Sequence, residues 1–241
     1  MIAQHEATHR DTLAQVLQEG GQTPLPACTY NFPYSDPVSF VDVANMITSV
    51  GIGAYLGGAQ LLTDDPTVLT AAGSILTVEA RHDAYLRAGV GGSPFPTPFD
   101  TALTALWADT LAQQFVVSCP MQLPITPTPK LMATSPMPQP HLMPAPAPGT
   151  MVDFKWDPST FFVSVDPSTP LYIAMVNQNT ETPIFQQVQN LDFNAGTGSV
   201  PLPEGVAGVA FAALTTFSGG LNLTSLSQFG TLAGPAEIVV S

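Results

Sequence analysis

The sequence predicts an α+β chain, a bundle of four long helices followed by a small antiparallel β-sandwich. Three observations carry this expectation: helical periodicity confined to residues 1–119, a proline-rich stretch over 120–150, and short β-rich runs between turn clusters over 151–241. Domain boundaries are expected at those same positions.

The first helix carries Ile2, Leu13, Val16 and Leu17 on one side and ends at Gly20-Gly21. Asp36 followed by Pro37 supplies a cap and a first-turn proline for a second helix that runs to about Leu62. Asp64-Asp65 before Pro66 repeats the start signal, and the third helix continues through Ile75, Leu76 and His82 to about Ala88. A fourth is expected from about Phe99 to Val117. Each helix would bury one apolar stripe against its neighbours.

In the connector nearly every second or third residue is proline, which removes amide donors and fixes φ, so an extended segment is expected there. The β-rich runs are Thr160–Val165, Leu171–Val176, Ile184–Val188, Val206–Phe217 and Glu237–Val240. No chemical constellation is visible in this half.

The chain has 241 residues, with 5 Lys and Arg against 18 Asp and Glu, for a formal charge of −13. Phosphate-backbone binding needs clustered cations, so a nucleic-acid partner is excluded, as is an anionic membrane surface. Only 10% of residues are charged, against about 25% in an ordinary soluble domain. Such a surface suits a secreted protein. Two cysteines, Cys28 and Cys119, allow one disulfide, and Asn222-Leu-Thr224 is a glycosylation sequon; both point to an oxidising, extracellular location. No leader is visible after Met1, so the start reads as a mature or truncated end. The uncharged stretch Val43–Leu62 is long enough for a bilayer, but polar residues and glycines interrupt it, and it reads as a buried helix rather than a transmembrane segment.

Three of the four histidines lie in two short motifs, His5-Glu6-Ala7-Thr8-His9 and Glu79-Ala80-Arg81-His82. Both contain Glu-x-x-His, and on a helix positions i and i+3 share a face. Two such helices packed together converge two carboxylates and two imidazoles, the half-repeated pattern of di-iron and di-manganese carboxylate bundles. The structural alternative is that these groups satisfy one another as buried hydrogen-bonding partners, with Arg10 and Arg81 as charge partners. A third reading is His-Glu-x-x-His as a zinc-protease motif, with His5 and His9 as ligands, Glu6 as base and Glu79 as a third ligand.

The segments Cys28-Thr-Tyr-Asn-Phe-Pro33, Gly51-Ile-Gly-Ala-Tyr-Leu-Gly-Gly-Ala59, Val78-Glu-Ala-Arg-His-Asp83, Pro98-Phe-Asp-Thr-Ala102 and Ser118-Cys-Pro120 resemble the secreted ferritin-like proteins of fungi. These are similar to plant desiccation-related proteins and to a fungal stress-response protein. The resemblance implies a ferritin-like bundle with metal ligands at Glu6, His9, Glu79 and His82, and a Cys28–Cys119 bridge. It also implies a further helix ahead of the first Glu-x-x-His, which this sequence lacks. A second copy of the chain, or a separate N-terminal fragment, is therefore expected to complete the bundle.

Thr48 stands where the family pattern places a carboxylate of the central helix. Without it, two metals lack bridging ligands, whereas four N/O ligands suit one Fe, Mn or Zn ion. Two functions follow: a metal-binding, stress-associated secreted protein, or a metal-free structural or protective one. Enzymatic activity is left open. Tyr30, Tyr34, Trp107 and Phe115 are expected to be packing residues, and Met121, Met132, Met137 and Met143 to contact the bundle; His141 has no expected role.

Overall fold

The computed structural model describes residues 1–122, 124–135, 146–178 and 182–240. His141, Met137 and Met143 lie outside the described residues.

Helix α1 spans Ile2–Glu19, α2 spans Pro37–Gly58 with a 3₁₀ turn at Ala59–Leu62, and α3 spans Pro66–Gly89. Asp36 accepts from the Val38 and Ser39 amides and starts α2, while Asp65 accepts from the Thr67 and Val68 amides and starts α3. Each side chain satisfies amides that have no intrahelical partner, and the proline behind it needs none. Pro37–Leu62 is long and apolar enough to cross a membrane by composition. Here α2 packs on α3 on one side and on residues 101–111 on another, burying Asn45, Ser49, Val50, Ile52 and Gly53, while Ile47 of α2 and Leu61 of the 3₁₀ turn are exposed.

The fourth helix is shorter than expected. Helix α4 spans only Ala105–Gln113, because Thr104 caps it and residues 101–103 run extended across α2. The crossing uses two glycines one helical turn apart. The Leu103 amide donates to the Gly53 carbonyl at 2.9 Å, and a Cβ on Gly57 would lie 1.7 Å from the Leu103 carbonyl oxygen. After α4 the chain turns into β2, Val116–Ser118, which pairs with β1, Thr29–Tyr30. A Cys28–Cys119 disulfide closes this ribbon across 91 residues. In the chain-entropy view a loop of that size stabilises the fold by about 4–5 kcal/mol.

Two four-stranded antiparallel sheets follow. One has the order β10–β9–β5–β6, formed by Ala233–Val240, Gly208–Thr215, Tyr172–Asn177 and Ile184–Gln187. The other has the order β3–β4–β8–β7, formed by Leu131–Ser135, Met151–Trp156, Thr197–Pro201 and Gln189–Asp192. Their facing sides bury Phe154, Trp156, Ile173, Met175, Val200, Leu214 and Ile238 as one core. Strand alternation gives the first sheet a second apolar side, carrying Ala174, Val176, Phe211 and Ala213. Helix α4 lies on that side through Trp107 and Leu111, joined by Val50 of α2. The molecule is thus three layers, helices on a sheet on a sheet, and α4 serves the middle sheet as much as the bundle.

Several expectations are revised. Residues 131–135, inside the proline-rich connector, form an edge strand. The run 160–165 is not a strand, because Asp157 and Asp166 fold the flanking residues into turns through Ser159 and Ser168, leaving Phe162 and Val163 exposed. Trp107 and Phe115 are buried, whereas Tyr30 and Tyr34 are surface residues packed on Phe32 and Phe40. Met121 is exposed, and Met132 is a partly exposed residue of β3 facing a cleft beside α2.

The glycine crossing yields an opposed pair of outcomes. Gly57→Ala drives a methyl into backbone and should cost about 1–3 kcal/mol or more. Gly51→Ala, in the same helix with open space around it, should be neutral or stabilising by up to about 1 kcal/mol. Urea denaturation of the two variants beside the wild type checks this.

Candidate metal centre

Helix α1 brings His5, Glu6 and His9 to the surface of α3, which carries Glu79 and His82. Glu6 and His9 are three residues apart, as are Glu79 and His82, so each pair shares a helical face. The two pairs meet crosswise. His9 Nδ1 lies 2.9 Å from Glu79 Oε1, and His82 Nδ1 lies 2.8 Å from Glu6 Oε1. The pairings within each helix are longer, 3.6 Å and 3.7 Å. Glu79 and His82 are buried, His9 is half-buried, and Glu6 is open to solvent.

The crosswise approaches are short but poorly directed. His9 Nδ1 and His82 Nδ1 are both buried, and neither has a well-aligned hydrogen bond. Buried ring nitrogens are ordinarily satisfied, so two left unsatisfied beside two carboxylates are donors in want of a partner. Ligand atoms from Glu6, His9 and Glu79 all lie within 4.8 Å of one another. Nitrogen and carboxylate oxygen donors suit Fe, Mn or Zn. His82 Nε2 is 3.0 Å from His5 Nδ1, with the two rings stacked. That second contact orients the His82 ring.

Electrostatics reflect the crowding. Burial, followed by the Glu6 charge, pushes the Glu79 carboxyl up to about 6, with His9 opposing. Burial holds the His82 imidazole below its ordinary value, against the pull of Glu6 and with the help of His5 and His9. Tyr55 of α2 is raised to about 12 by burial and by Glu79 and Glu6, which puts its phenol in the field of the same cluster. Neither His5 in this orienting role nor Tyr55 was expected from the sequence. The i+7 spacing of Tyr55 from Thr48, which puts the two on one face of α2, was the available signal.

Thr48 gives nothing to the cluster through its hydroxyl, which donates to the Ala44 carbonyl one turn back at 2.9 Å. Arg10, expected as a charge partner, instead pairs with Asp11 at 2.7 Å, because the neighbouring carboxylate on the exposed side of α1 is nearer to hand. Arg81 is exposed at the mouth of the cleft over His5, His9 and His82. For a zinc-protease arrangement Glu6 would have to stand free as a base with His5 and His9 on one metal. Here Glu6 reaches His82, and His5 turns to His82 as well.

Residues 1–92 match the family model described as a ferritin-like domain. The chain is 24% identical over 212 residues to protein rds1 of Schizosaccharomyces pombe, a similarity covering 73% of this chain and 52% of that protein. The chain therefore spans about half the length of the curated relative it matches. Helices in the part that matches this model, followed by β-sheets, make an α+β protein, as expected.

The pH behaviour of the metal-free chain follows from Glu79. Its folded pKa is raised, so its contribution to stability is full below about 4.5 and is lost as pH rises through about 6. His82 acts oppositely, since its lowered pKa costs stability as pH falls below its ordinary 6.5. Glu79→Gln removes the first effect and keeps the second. In chelator, the stability of Glu79→Gln relative to wild type should rise between pH 4.5 and 7 by on the order of 1 kcal/mol, read from urea titrations at each pH.

Proposed function

We propose that the chain is a secreted, stress-associated protein of the ferritin-like kind that binds one transition-metal ion through Glu6, His9, Glu79 and His82. The observation that carries this reading is the crosswise convergence of two carboxylates with two buried, poorly satisfied imidazole nitrogens. Iron or manganese bound there would supply one-electron chemistry toward oxygen or peroxide; zinc would supply a Lewis acid. The chain's own residues do the rest. His5 holds the His82 ring in place, burial keeps His82 neutral and ready to ligate, and exposed Glu6 lies on the solvent side, where a small molecule arrives.

A metal-free protective protein is the second reading, favoured by Thr48, whose hydroxyl is spent on its own helix and leaves the central helix without a carboxylate at that face. The resemblance of the sequence to a fungal stress-response protein supports the stress association. The Cys28–Cys119 disulfide supports an oxidising compartment. Asn222 is exposed, and its side-chain oxygen caps a short helical turn, Leu223–Ser225, leaving the amide nitrogen available for a glycan. Helix α1 has no buried residue and presents Leu13 and Leu17 to solvent. A second copy of the chain or a separate N-terminal segment would cover that stripe.

Metal analysis of protein purified from its native source without chelator, with anomalous scattering at the Glu6–His82 centre, tests the proposal. One ion per chain is expected, with affinity lowered at least about tenfold in Glu79→Gln. Metal-free native protein that also takes up no Fe, Mn or Zn would leave the protective reading.

A further inference from the structure

A second polar centre lies away from the Glu/His cluster, where the helical layer meets β10 and β3. Glu237 projects from β10 toward the helices, since its neighbours Ala236 and Ile238 face the core between the sheets. It is 6% exposed, and both of its carboxylate oxygens lack a hydrogen-bond partner. Asn45 of α2 is fully buried nearby. Its amide nitrogen donates to Asp83 at 2.6 Å, which fixes the orientation of the amide and leaves its oxygen unpartnered. Both residues line one cavity of about 510 Å³ between α2 and strands β3 and β10.

A buried carboxylate with neither oxygen bonded is costly, and so is a buried amide oxygen in the same state. Arg87 is the cation of this region, but its Nε is held by Asp83 at 2.7 Å, and it makes no ion pair with Glu237 among the described residues. Burial pushes the Glu237 carboxyl well above the ordinary carboxylate range in spite of Arg87. Three unpartnered oxygens therefore line this space, and among the described residues no hydrogen-bond donor reaches them, although Arg87, whose Nη1 is also unpartnered, is near enough to act on Glu237 through its charge.

We propose that this cavity binds a small primary alkylammonium ion, its head group on Glu237 and Asn45. An ammonium has three N–H donors, matching the two Glu237 oxygens and the Asn45 oxygen. Val43, Met46, Leu131 and Val239 give the lining an apolar side that takes an alkyl chain, while Ser39, Asp42, Gln114 and Thr134 add polar groups to it. A divalent cation drawn to Asp42 and Glu237 is the competing occupant, and calcium binding distinguishes it. Lys130, exposed and part of the same lining, repels a second positive charge and so favours a monoamine over a diamine. This inference is independent of metal binding at Glu79 and His82.

Calorimetric titration of the full chain with n-butylammonium, with butanol, butyrate, 1,4-diaminobutane and calcium as comparisons, tests it. The expected result is saturable one-to-one binding of butylammonium, weaker binding of the diamine, and none of butyrate. Glu237→Gln, which keeps shape and removes charge, should weaken the amine at least tenfold. Met46→Trp, which fills the cavity from its wall and leaves every charge in place, should abolish binding; circular dichroism reports whether each variant is folded. Equal binding of butanol, preference for calcium, unchanged affinity in Glu237→Gln, or no amine binding by the wild type would each overturn the proposal.

Discussion

The carboxylate of Asp83 holds the helical layer together. It is buried between α2 and α3, accepts from Asn45 and Ser49 of one helix, and pairs with Arg87 of its own at 2.7 Å. Taking a carboxylate and a guanidinium out of water is costly; Asp83 repays its share through three partners in good geometry, while Arg87 Nη1 has no hydrogen-bond partner among the described residues. Asn45 and Ser49 are four residues apart, as are Asp83 and Arg87, so the contact joins one stripe of each helix and sets both rotations at once.

With α3 fixed in rotation by Asp83, its residues Glu79 and His82 are left for α1. Helix α1 buries no residue of its own, and its attachment to α3 runs through the crosswise Glu and His pairs. Helix docking and assembly of the Glu/His cluster are therefore one event. Anything that drew the four side chains to a common centre would also seat α1 and so stabilise the fold. The sheets play a different part. Helix α4 and Val50 rest on the outer side of the β10–β9–β5–β6 sheet, so the β half is a platform for the helices rather than an appendage. Where that platform is not sealed by apolar contact, Glu237 remains among the helices without a partner.

How far the sequence could be read depended on how local each signal was. The starts of α2 and α3 were plain because Asp-Pro acts within one turn, and the Glu-x-x-His pairs were plain because i and i+3 must share a face. Helix α4 was overextended because its start depends on residues 101–103 lying in the groove made by Gly53 and Gly57, a contact between segments about fifty residues apart. Strand β3 is hidden among prolines, and β4, in which Val152, Phe154 and Trp156 alternate, follows directly on the proline-rich stretch. Glu237 read as one residue of an apolar run, since nothing beside it in sequence shows what covers its side of the strand.

The sequence by itself determined the helix starts, the two carboxylate–imidazole motifs, the division into a helical and a β half, and the pair of cysteines available to bridge. These follow from spacing and chain chemistry over a few residues. Only the tertiary structure decided that the motifs pair crosswise, that Thr48 turns back on its own helix while Tyr55 shares the field of the cluster, and that Glu237 and Asn45 share a cavity. Each of these depends on the rotation of one packed element against another. That rotation is set by buried partners such as Asp83 and by the close approach that two glycines permit.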